Sequence, residues 1–265
     1  GLEYLQTDTA FIFRGTGDPT FLHPEFRAWQ AAFQKLASVP ATKKLIYIPP
    51  VEEPARFGPG WAWEDYADHY QPERSRMPIY GNCAMITLDQ SGQHPVIQPH
   101  WFQNALWNGS ENEPVRDEYV NRWNTSDLKP GDTLFVPFRT AAFLDLLKDT
   151  LHRTDITIGL PTQYPATGWQ QLKSCPVDTV YRLMMYVSDN FLAEQLAPEL
   201  PVTESIRWVD GSGLSRYNLV SSQYLANILL EMYRLYPRDR LFSLFPAGGI
   251  RGTIQNWYKA PSGDP

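Results

Sequence analysis

Ser188, Asp189 and Asn190 are the residues whose types and spacing are best suited to chemistry. They separate two apolar stripes of helical spacing, at 180–187 and 191–196. A hydroxyl and a carboxamide two residues apart, at the junction of two packed helices, would be held on a rigid base, as a catalytic group requires. The structural alternative is a helix N-cap, because Ser, Asp and Asn all cap helices well. The tripeptide alone does not decide between the two interpretations.

A second polar segment, Asp210-Gly-Ser-Gly-Leu-Ser-Arg216, lies about twenty residues further along the chain. Its Gly211-Ser212-Gly213 core lacks the flanking residues of the Gly-x-Ser-x-Gly turn that exposes a nucleophilic serine. We therefore expect Ser212 to serve the turn rather than to attack a substrate.

Other chemically suggestive patterns fail on their spacing. Ser126-Asp-Leu-Lys129 has the form Ser-x-x-Lys, but it leads into a Pro-Gly turn, whereas such a nucleophile needs to open a buried helix. Gly15-Thr-Gly17 has no third glycine and is followed by Asp-Pro, so a dinucleotide loop is not predicted. The five histidines show no metal-ligand spacing. The sequence thus predicts neither a cofactor nor a metal.

An aromatic cluster comprises Trp61, Trp63, Tyr66 and Tyr70. Such a cluster could form a platform on which sugars stack. Packing in a core or an interface is the favoured interpretation, because aromatic side chains dominate the energetics of both.

Composition limits the classes of function. The chain has 265 residues, 43% of them hydrophobic, which suits two compact units or one unit with a large insertion. Its net charge of −6 comes from dispersed charges, which argues against the clustered Lys and Arg of a nucleic-acid site. No apolar run approaches the ~20 residues of a membrane span, and Gly1 does not begin a signal peptide. Two cysteines, Cys83 and Cys175, cannot build a disulfide framework, and we expect buried thiols, with one disulfide as the alternative.

Hydrophobic periodicity and turn residues predict the main elements. Helices are expected from Pro24, with its apolar face ending at Leu36, and over 139–151, 180–187, 191–196 and 224–232. Strands are expected at Thr9–Arg14, Leu45–Ile48, Cys83–Leu88, Thr133–Phe138 and Ile156–Leu160.

Several segments also follow one another in the order found in one enzyme family. They are Arg14-Gly-Thr-Gly-Asp-Pro-Thr20, Phe57-Gly-Pro-Gly-Trp-Ala-Trp-Glu-Asp-Tyr66 with Asn82, Ser188-Asp-Asn-Phe-Leu-Ala-Glu194, Asp210–Arg216 with Asn218, and Gly252-Thr253. With this set the chain resembles, nearly end to end, the low-molecular-mass penicillin-binding proteins of the D-Ala-D-Ala carboxypeptidase/endopeptidase type, peptidase family S13.

The resemblance implies an α+β fold. It would combine part of a β-lactamase/transpeptidase-like (DD-peptidase) catalytic domain with the α/β and β-rich insert of the S13 enzymes. We expect residues 1–52 to begin an α/β insert subdomain, 53–138 to form a nested β-rich subdomain, 139–166 to return to the first subdomain, and 167–265 to form the helical part of the penicillin-binding catalytic domain.

The activity implied by the resemblance is serine-type hydrolysis of the D-Ala-D-Ala bond, or of cross-links, in peptidoglycan stem peptides. It would proceed through an acyl-enzyme that β-lactams trap. In that scheme Ser188 belongs to the proton relay, Asn190 contacts the substrate amide and the lysine of the nucleophile, and Asp189 braces the turn. Supporting positions would be Asp210, Ser212 and Arg216. The resemblance implies an extracytoplasmic location, in the periplasm or cell envelope, and leaves peripheral membrane association and a homo-oligomer open.

The family's spacing places two of its three catalytic motifs outside this sequence. Ser-x-x-Lys is expected before residue 1 and Lys-Thr-Gly after Pro265, so we expect the chain to be inactive alone. Two alternatives stay open: a non-catalytic peptidoglycan-binding module that uses the 57–70 aromatics and the insert surface, and an inactive structural segment with unpaired apolar helix faces.

Overall fold

The structure, a computed structural model, describes residues 1–92, 94–110, 115–197 and 206–258. The chain forms two compact units. The first comprises Gly1–Phe57 and Ala62–Ser174, and the second comprises Gly58–Trp61 and Cys175–Pro265.

All named strands of the described residues belong to the first unit. They are β1 Leu2–Gln6, β2 Ala10–Gly15, β3 Lys44–Tyr47, β4 Cys83–Leu88, β5 Pro95–Gln98, β6 Leu106–Trp107, β7 Trp123–Asn124, β8 Thr133–Pro137, β9 Ile156–Ile158 and β10 Gln170–Leu172. Its α-helices are α1 Ala31–Ala37 and α2 Phe143–Leu151.

A five-stranded mixed sheet in the order β10-β1-β2-β3-β9 forms the α/β part of the first unit. β1 pairs with β2 and β10 in antiparallel fashion, whereas β2, β3 and β9 run parallel. The alternation of β2 sends Phe11 and Phe13 into the main core, while Ile12 packs with Ile48 on the other face. Both faces of this strand are therefore covered, which explains why its residues are almost all apolar.

The β-rich part consists of the antiparallel sheet β5-β4-β8 and the short parallel pair β6-β7. Phe102, Trp123 and Phe138 pack edge-on or tilted at ring distances of 5.0–5.3 Å and join the same core as the five-stranded sheet. Beside them Glu73, 1% exposed, pairs with the fully buried Arg116 at 2.6 Å. Arg56 is 2.9 Å from the same carboxylate. The buried charge is thus compensated, as its removal from water requires.

The second unit is helical in its described residues. Its helices are α3 Val177–Val187, α4 Asn190–Leu196, α5 Ser222–Leu235 and α6 Arg238–Ser243. Arg240 on α6 forms two hydrogen bonds of 2.7 and 2.8 Å with Asp178 on α3. None of the residues of α5 is buried, and Leu225 and Leu229 are more than half exposed. The apolar stripe that predicts α5 therefore faces solvent in this chain.

The α+β fold class is confirmed, and the strand Cys83–Leu88 has the bounds that the sequence predicts. The helix expected from Pro24 is wrong in its bounds: a 3-10 turn covers Pro24–Phe26 and α1 begins only at Ala31. The Gln30 side chain donates to the carbonyl of Phe26 at 2.9 Å. The same carbonyl accepts from the N–H of Trp29 at 2.8 Å, a three-residue spacing, and Gln30 lies outside the helical region with φ −100° and ψ 32°.

Cys83 and Cys175 are both thiols, and both are half-buried rather than buried as expected. Among the described helices, none is both long and apolar enough to cross a membrane.

Candidate active site

The junction between α3 and α4 depends on one residue in an unusual conformation. Ser188 has φ 57° and ψ 52°, the left-handed region. Its N–H and that of Asp189 both reach the carbonyl of Met184, the latter at 2.9 Å. This pattern ends a helix in the manner usually assigned to glycine. A serine at such a position carries backbone strain of about 1–2 kcal/mol.

Asp189 begins the next helix. Its Oδ1 accepts a hydrogen bond of 2.9 Å from the N–H of Leu192, an N-cap that replaces a missing intrahelical acceptor. The structural alternative considered for the tripeptide, a helix N-cap, is therefore observed at Asp189. Asn190 is the first residue of α4 and is half-buried, and Ser188 is exposed. Neither of these two side chains is enclosed in the core.

The carboxylate of Asp210 organises the segment that follows α4. Asp210 is 4% exposed, and its Oδ1 accepts hydrogen bonds from the N–H of Gly213 at 3.0 Å and from Nδ2 of Asn218 at 2.5 Å. Its Oδ2 accepts from the N–H of Ser215 at 2.5 Å and from Nε1 of Trp61 at 2.7 Å. All four acceptor positions of the carboxylate are used, which is what a buried charge without a cation requires.

Glu194 joins α4 to the same segment. The Glu194 side chain is 5% exposed, and its Oε1 accepts from the N–H groups of Gly211 and Ser212, each at 2.8 Å. A Cβ on Gly211 would lie 2.4 Å from the carbonyl oxygen of Ala193, so only glycine allows this approach. The helix that carries Asn190 is therefore fixed at its other end by the 210–213 turn.

The Gly58–Trp61 segment packs against the same turn. The Ser215 hydroxyl donates to the carbonyl of Pro59 at 2.6 Å. Gly60 has φ +78°, and a Cβ there would lie 2.8 Å from the Tyr217 ring. Together with the Trp61–Asp210 bond, these contacts unite two family signatures that are 149 residues apart in sequence.

A third signature lies beside α3. Gly252 has φ +77°, and a Cβ at this position would lie 3.1 Å from the carbonyl oxygen of Tyr186, two residues before Ser188. The 252 segment thus lies beside the end of α3 that precedes Ser188, whereas the 210–213 turn contacts the far end of α4.

The remaining predicted site residues have more modest contacts. The Ser212 hydroxyl accepts from the N–H of Leu214 at 3.3 Å, which is turn chemistry as expected. Arg216 is exposed, and its backbone N–H lies 3.5 Å from the carbonyl of Gly60. Sequence analysis missed the buried Ser215 and the hydrogen bond of Trp61.

Residues set aside in the sequence analysis also have clear positions. Trp63 stacks on Tyr66 at 5.6 Å, and the Tyr66 hydroxyl donates to the carbonyl of Arg116 at 2.7 Å. Trp61 and Tyr66 thus have packing and hydrogen-bonding roles, whereas Trp63 is 54% exposed. Ser126 follows β7, where its N–H donates to Oδ1 of Asn124, and does not open a helix. Within the described residues, no group of His, Cys, Asp or Glu side chains could hold a metal ion.

Two comparisons of the sequence with known proteins found matches, one of them confined to the C-terminal part of the chain. The sequence model of the D-Ala-D-Ala carboxypeptidase 3 (S13) family matches residues 199–264. D-alanyl-D-alanine carboxypeptidase DacB of Haemophilus influenzae is 23% identical over 300 residues, with 93% of this chain covered. The chain spans 62% of the length of that curated relative.

Two solved structures share the fold. The crystal structure of penicillin binding protein 4 (dacB) from Haemophilus influenzae has a TM-score of 0.65 at 20% identity, over 99% of this chain and 72% of that one. The crystal structure of the same protein complexed with a novel β-lactam has a TM-score of 0.52 at 18% identity, over 97% and 69% of the two chains. The resemblance to family S13 stated from the sequence is confirmed.

Proposed function

Because the S13 family model matches residues 199–264 and a curated D-alanyl-D-alanine carboxypeptidase aligns with 93% of the chain, we propose that the chain is part of a serine-type D-Ala-D-Ala carboxypeptidase/endopeptidase. The substrate would be the stem peptide of peptidoglycan, and β-lactams would acylate the same serine. The enzyme would act where peptidoglycan lies, in the periplasm or cell envelope.

The reaction transfers an acyl group twice. A serine hydroxyl outside the present motifs attacks the carbonyl of the penultimate D-Ala, and the peptide C–N bond breaks to leave an ester and an amine. The leaving amine needs a proton, which Ser188 would deliver through its hydroxyl. Asn190 would hold the substrate amide and the lysine beside the nucleophile through its carboxamide. Water then hydrolyses the ester and restores the serine.

The observation that carries this proposal is the construction of the α3–α4 junction. Ser188 is held exposed in the left-handed region, although glycine would fit the backbone there with less strain. Strain of this kind concentrates at functional positions, where the surrounding structure maintains it. In this molecule that support comes from the Asp189 cap and from the Glu194 contacts to Gly211 and Ser212.

The alternative of an inactive structural segment has one observation in its favour. α5 presents its apolar stripe to solvent, with Leu225 at 53% and Leu229 at 55% exposure. A face of this kind normally packs against another element. The 265-residue chain is thus expected to be incomplete as a catalyst even if the parent protein is active.

Penicillin labelling and D-Ala release test the proposal. The 265-residue chain should form no covalent adduct with a fluorescent penicillin, whereas a longer chain that includes Ser-x-x-Lys and Lys-Thr-Gly should be labelled stoichiometrically. In that longer protein Ser188→Ala should lower kcat/KM for D-Ala release by about 10²–10⁴, the usual contribution of a positioned proton donor. Asn190→Ala should lower it by a similar factor.

Ser126→Ala is the matched control, since it removes the hydroxyl of the sequence's one Ser-x-x-Lys pattern. It should leave D-Ala release unchanged. Labelling of the 265-residue chain that Ser126→Ala abolishes would overturn the proposal, and so would full activity of the Ser188→Ala enzyme.

A further inference from the structure

A groove of about 560 Å³ lies in the first unit, far along the sequence from the candidate active site. It is shallow and open to solvent, so a ligand would lie along the surface rather than be enclosed. Its lining mixes exposed aromatic rings with amides and charges: Trp101, Asn104, Tyr119, Asn121, Arg122 and Asp145. Trp101 is 41% and Tyr119 73% exposed, so both rings are available to a ligand.

One wall of the groove is the 3-10 helix His100–Ala105. Residues three apart eclipse one another in such a helix, so Trp101 and Asn104 share a face. The Trp101 ring contacts the buried Phe102 ring edge-on, with centroids 5.0 Å apart. An indole and a carboxamide are thus presented side by side from a wall that is anchored in the core.

The other wall is a loop that hydrogen bonds between side chains and backbone hold in place. Oδ1 of Asp117 accepts from the N–H groups of Tyr119 at 2.8 Å and Val120 at 3.1 Å. Nη1 of Arg139 donates to the carbonyl of Tyr119 at 2.7 Å, and Oδ1 of Asn121 accepts from the Arg139 N–H at 2.6 Å. Because the loop is fixed, a ligand stacking on the tyrosine would pay little ordering entropy.

The charged side chains that line the groove differ in whether a ligand can pair with them. Arg139 lies 3.4 Å from the buried carboxylate of Glu73 and is committed to it. Arg122 is exposed and lies over the Trp107 ring at 5.4 Å, and no described carboxylate forms an ion pair with it. Asp145 is exposed on the first turn of α2. The groove therefore offers one available guanidinium and one available carboxylate.

We propose that this groove binds a chain of N-acetylated amino sugars that carries carboxylate groups. The apolar C–H faces of pyranose rings stack on Trp101 and Tyr119, and the acetamido group bonds to the carboxamide of Asn104. Asp145 accepts hydrogen bonds from sugar hydroxyls, and Arg122 binds the sugar carboxylate. The choice of the peptidoglycan glycan strand as this ligand rests on the proposed function, and its free carboxylates are those of sugars from which the stem peptide has been removed.

Calorimetric titration of the 265-residue chain tests the groove without any catalytic readout. The ligands are peptidoglycan strands stripped of their peptides, chitotetraose, which is acetylated but uncharged, and cellotetraose, which has neither group. We expect affinity to fall in that order. Trp101→Ala and Tyr119→Ala should each weaken binding of the stripped strands about five- to tenfold.

Trp29→Ala is the matched control, since Trp29 is also 41% exposed but does not line the groove. It should leave the affinity unchanged. Tyr119→Ala covers the case in which Trp101→Ala fails to fold, because the more exposed Tyr119 has less packing to lose. Arg122→Gln should weaken the stripped strands and leave chitotetraose unaffected.

Several results would overturn the inference. In the first, Trp101→Ala and Tyr119→Ala both bind the stripped strands within twofold of the unmutated chain. In the second, Trp29→Ala loses as much affinity as these two variants. In the third, cellotetraose binds as tightly as the stripped strands. Unchanged affinities of Arg122→Gln would refute the role given to that residue. Absence of glycan binding together with variants that reduce self-association in sedimentation would assign the groove to a protein interface. None of these results depends on Ser188, so they are separable from failure of the proposed activity.

Discussion

Replacement of Ser188 by glycine should make the protein more stable and less active at once. The residue has φ 57°, where a side chain costs about 1–2 kcal/mol that glycine avoids. Glycine also lowers the free energy of unfolding by about 0.4–1 kcal/mol, because it gives the unfolded chain more conformational freedom. The free energy of unfolding should therefore be about 1 kcal/mol higher in Ser188→Gly than in Ser188→Ala. Both variants lack the hydroxyl, so both should lose D-Ala release to the same extent.

Urea unfolding of the two variants measures the stability difference, and D-Ala release from a stem pentapeptide, assayed in the longer protein, measures activity. His152 provides the matched control. It ends α2 with φ 51° and ψ 42° and is exposed, outside the candidate site. His152→Gly should likewise be more stable than His152→Ala by about 1 kcal/mol, without change in activity.

A Ser188→Gly protein no more stable than Ser188→Ala would refute the backbone-strain reasoning. Activity retained in either variant would refute the role of the hydroxyl. Because His152 tests strain alone, the two failures can be told apart.

Three further predictions concern stability. Asp210→Ala should lower the free energy of unfolding by at least about 3 kcal/mol, because four donors lose their acceptor, and a loss below about 1 kcal/mol in urea unfolding would contradict this. Gly211→Ala should cost more than Gly213→Ala, since the first Cβ lies 2.4 Å from an α4 carbonyl oxygen while the second meets only the strain of φ +82°; equal melting temperatures would show that α4 yields to the clash. Burial lowers the pKa of His23 to about 4, below its ordinary 6.5. As the pH falls, the unfolded chain therefore binds a proton at this residue before the folded chain does. The free energy of unfolding should fall by about 3 kcal/mol between pH 6.5 and pH 4. His23→Asn should remove that part of the pH dependence in unfolding measured at both pH values, whereas His100→Asn at an exposed position should keep it.

The elements that the sequence predicts well are those with a local cause. β4 alternates buried and half-buried residues along its whole length, and its bounds are those predicted. α3 and α4 follow from apolar residues at helical spacing, and both are observed. α6, which starts directly after Pro237, was not predicted: a proline that ends one helix can also begin the next.

The contacts that build the candidate site have no local cause. Trp61 was placed in an aromatic cluster with its neighbours, yet its indole N–H is bound by Asp210. No periodicity connects the two residues, and only the order of the family's motifs hinted at a relation. Periodicity also predicts the α5 helix without showing what covers its apolar stripe, and that stripe is exposed in this chain.

The bond between Trp61 and Asp210 can form only after synthesis has reached residue 210. The ribosome adds about 5–20 residues per second, so the indole waits roughly 7–30 s before the carboxylate 149 positions later is made. During this interval the indole N–H of Trp61 can bond only to water or to residues already made. Slow codons between the two positions would prolong this interval.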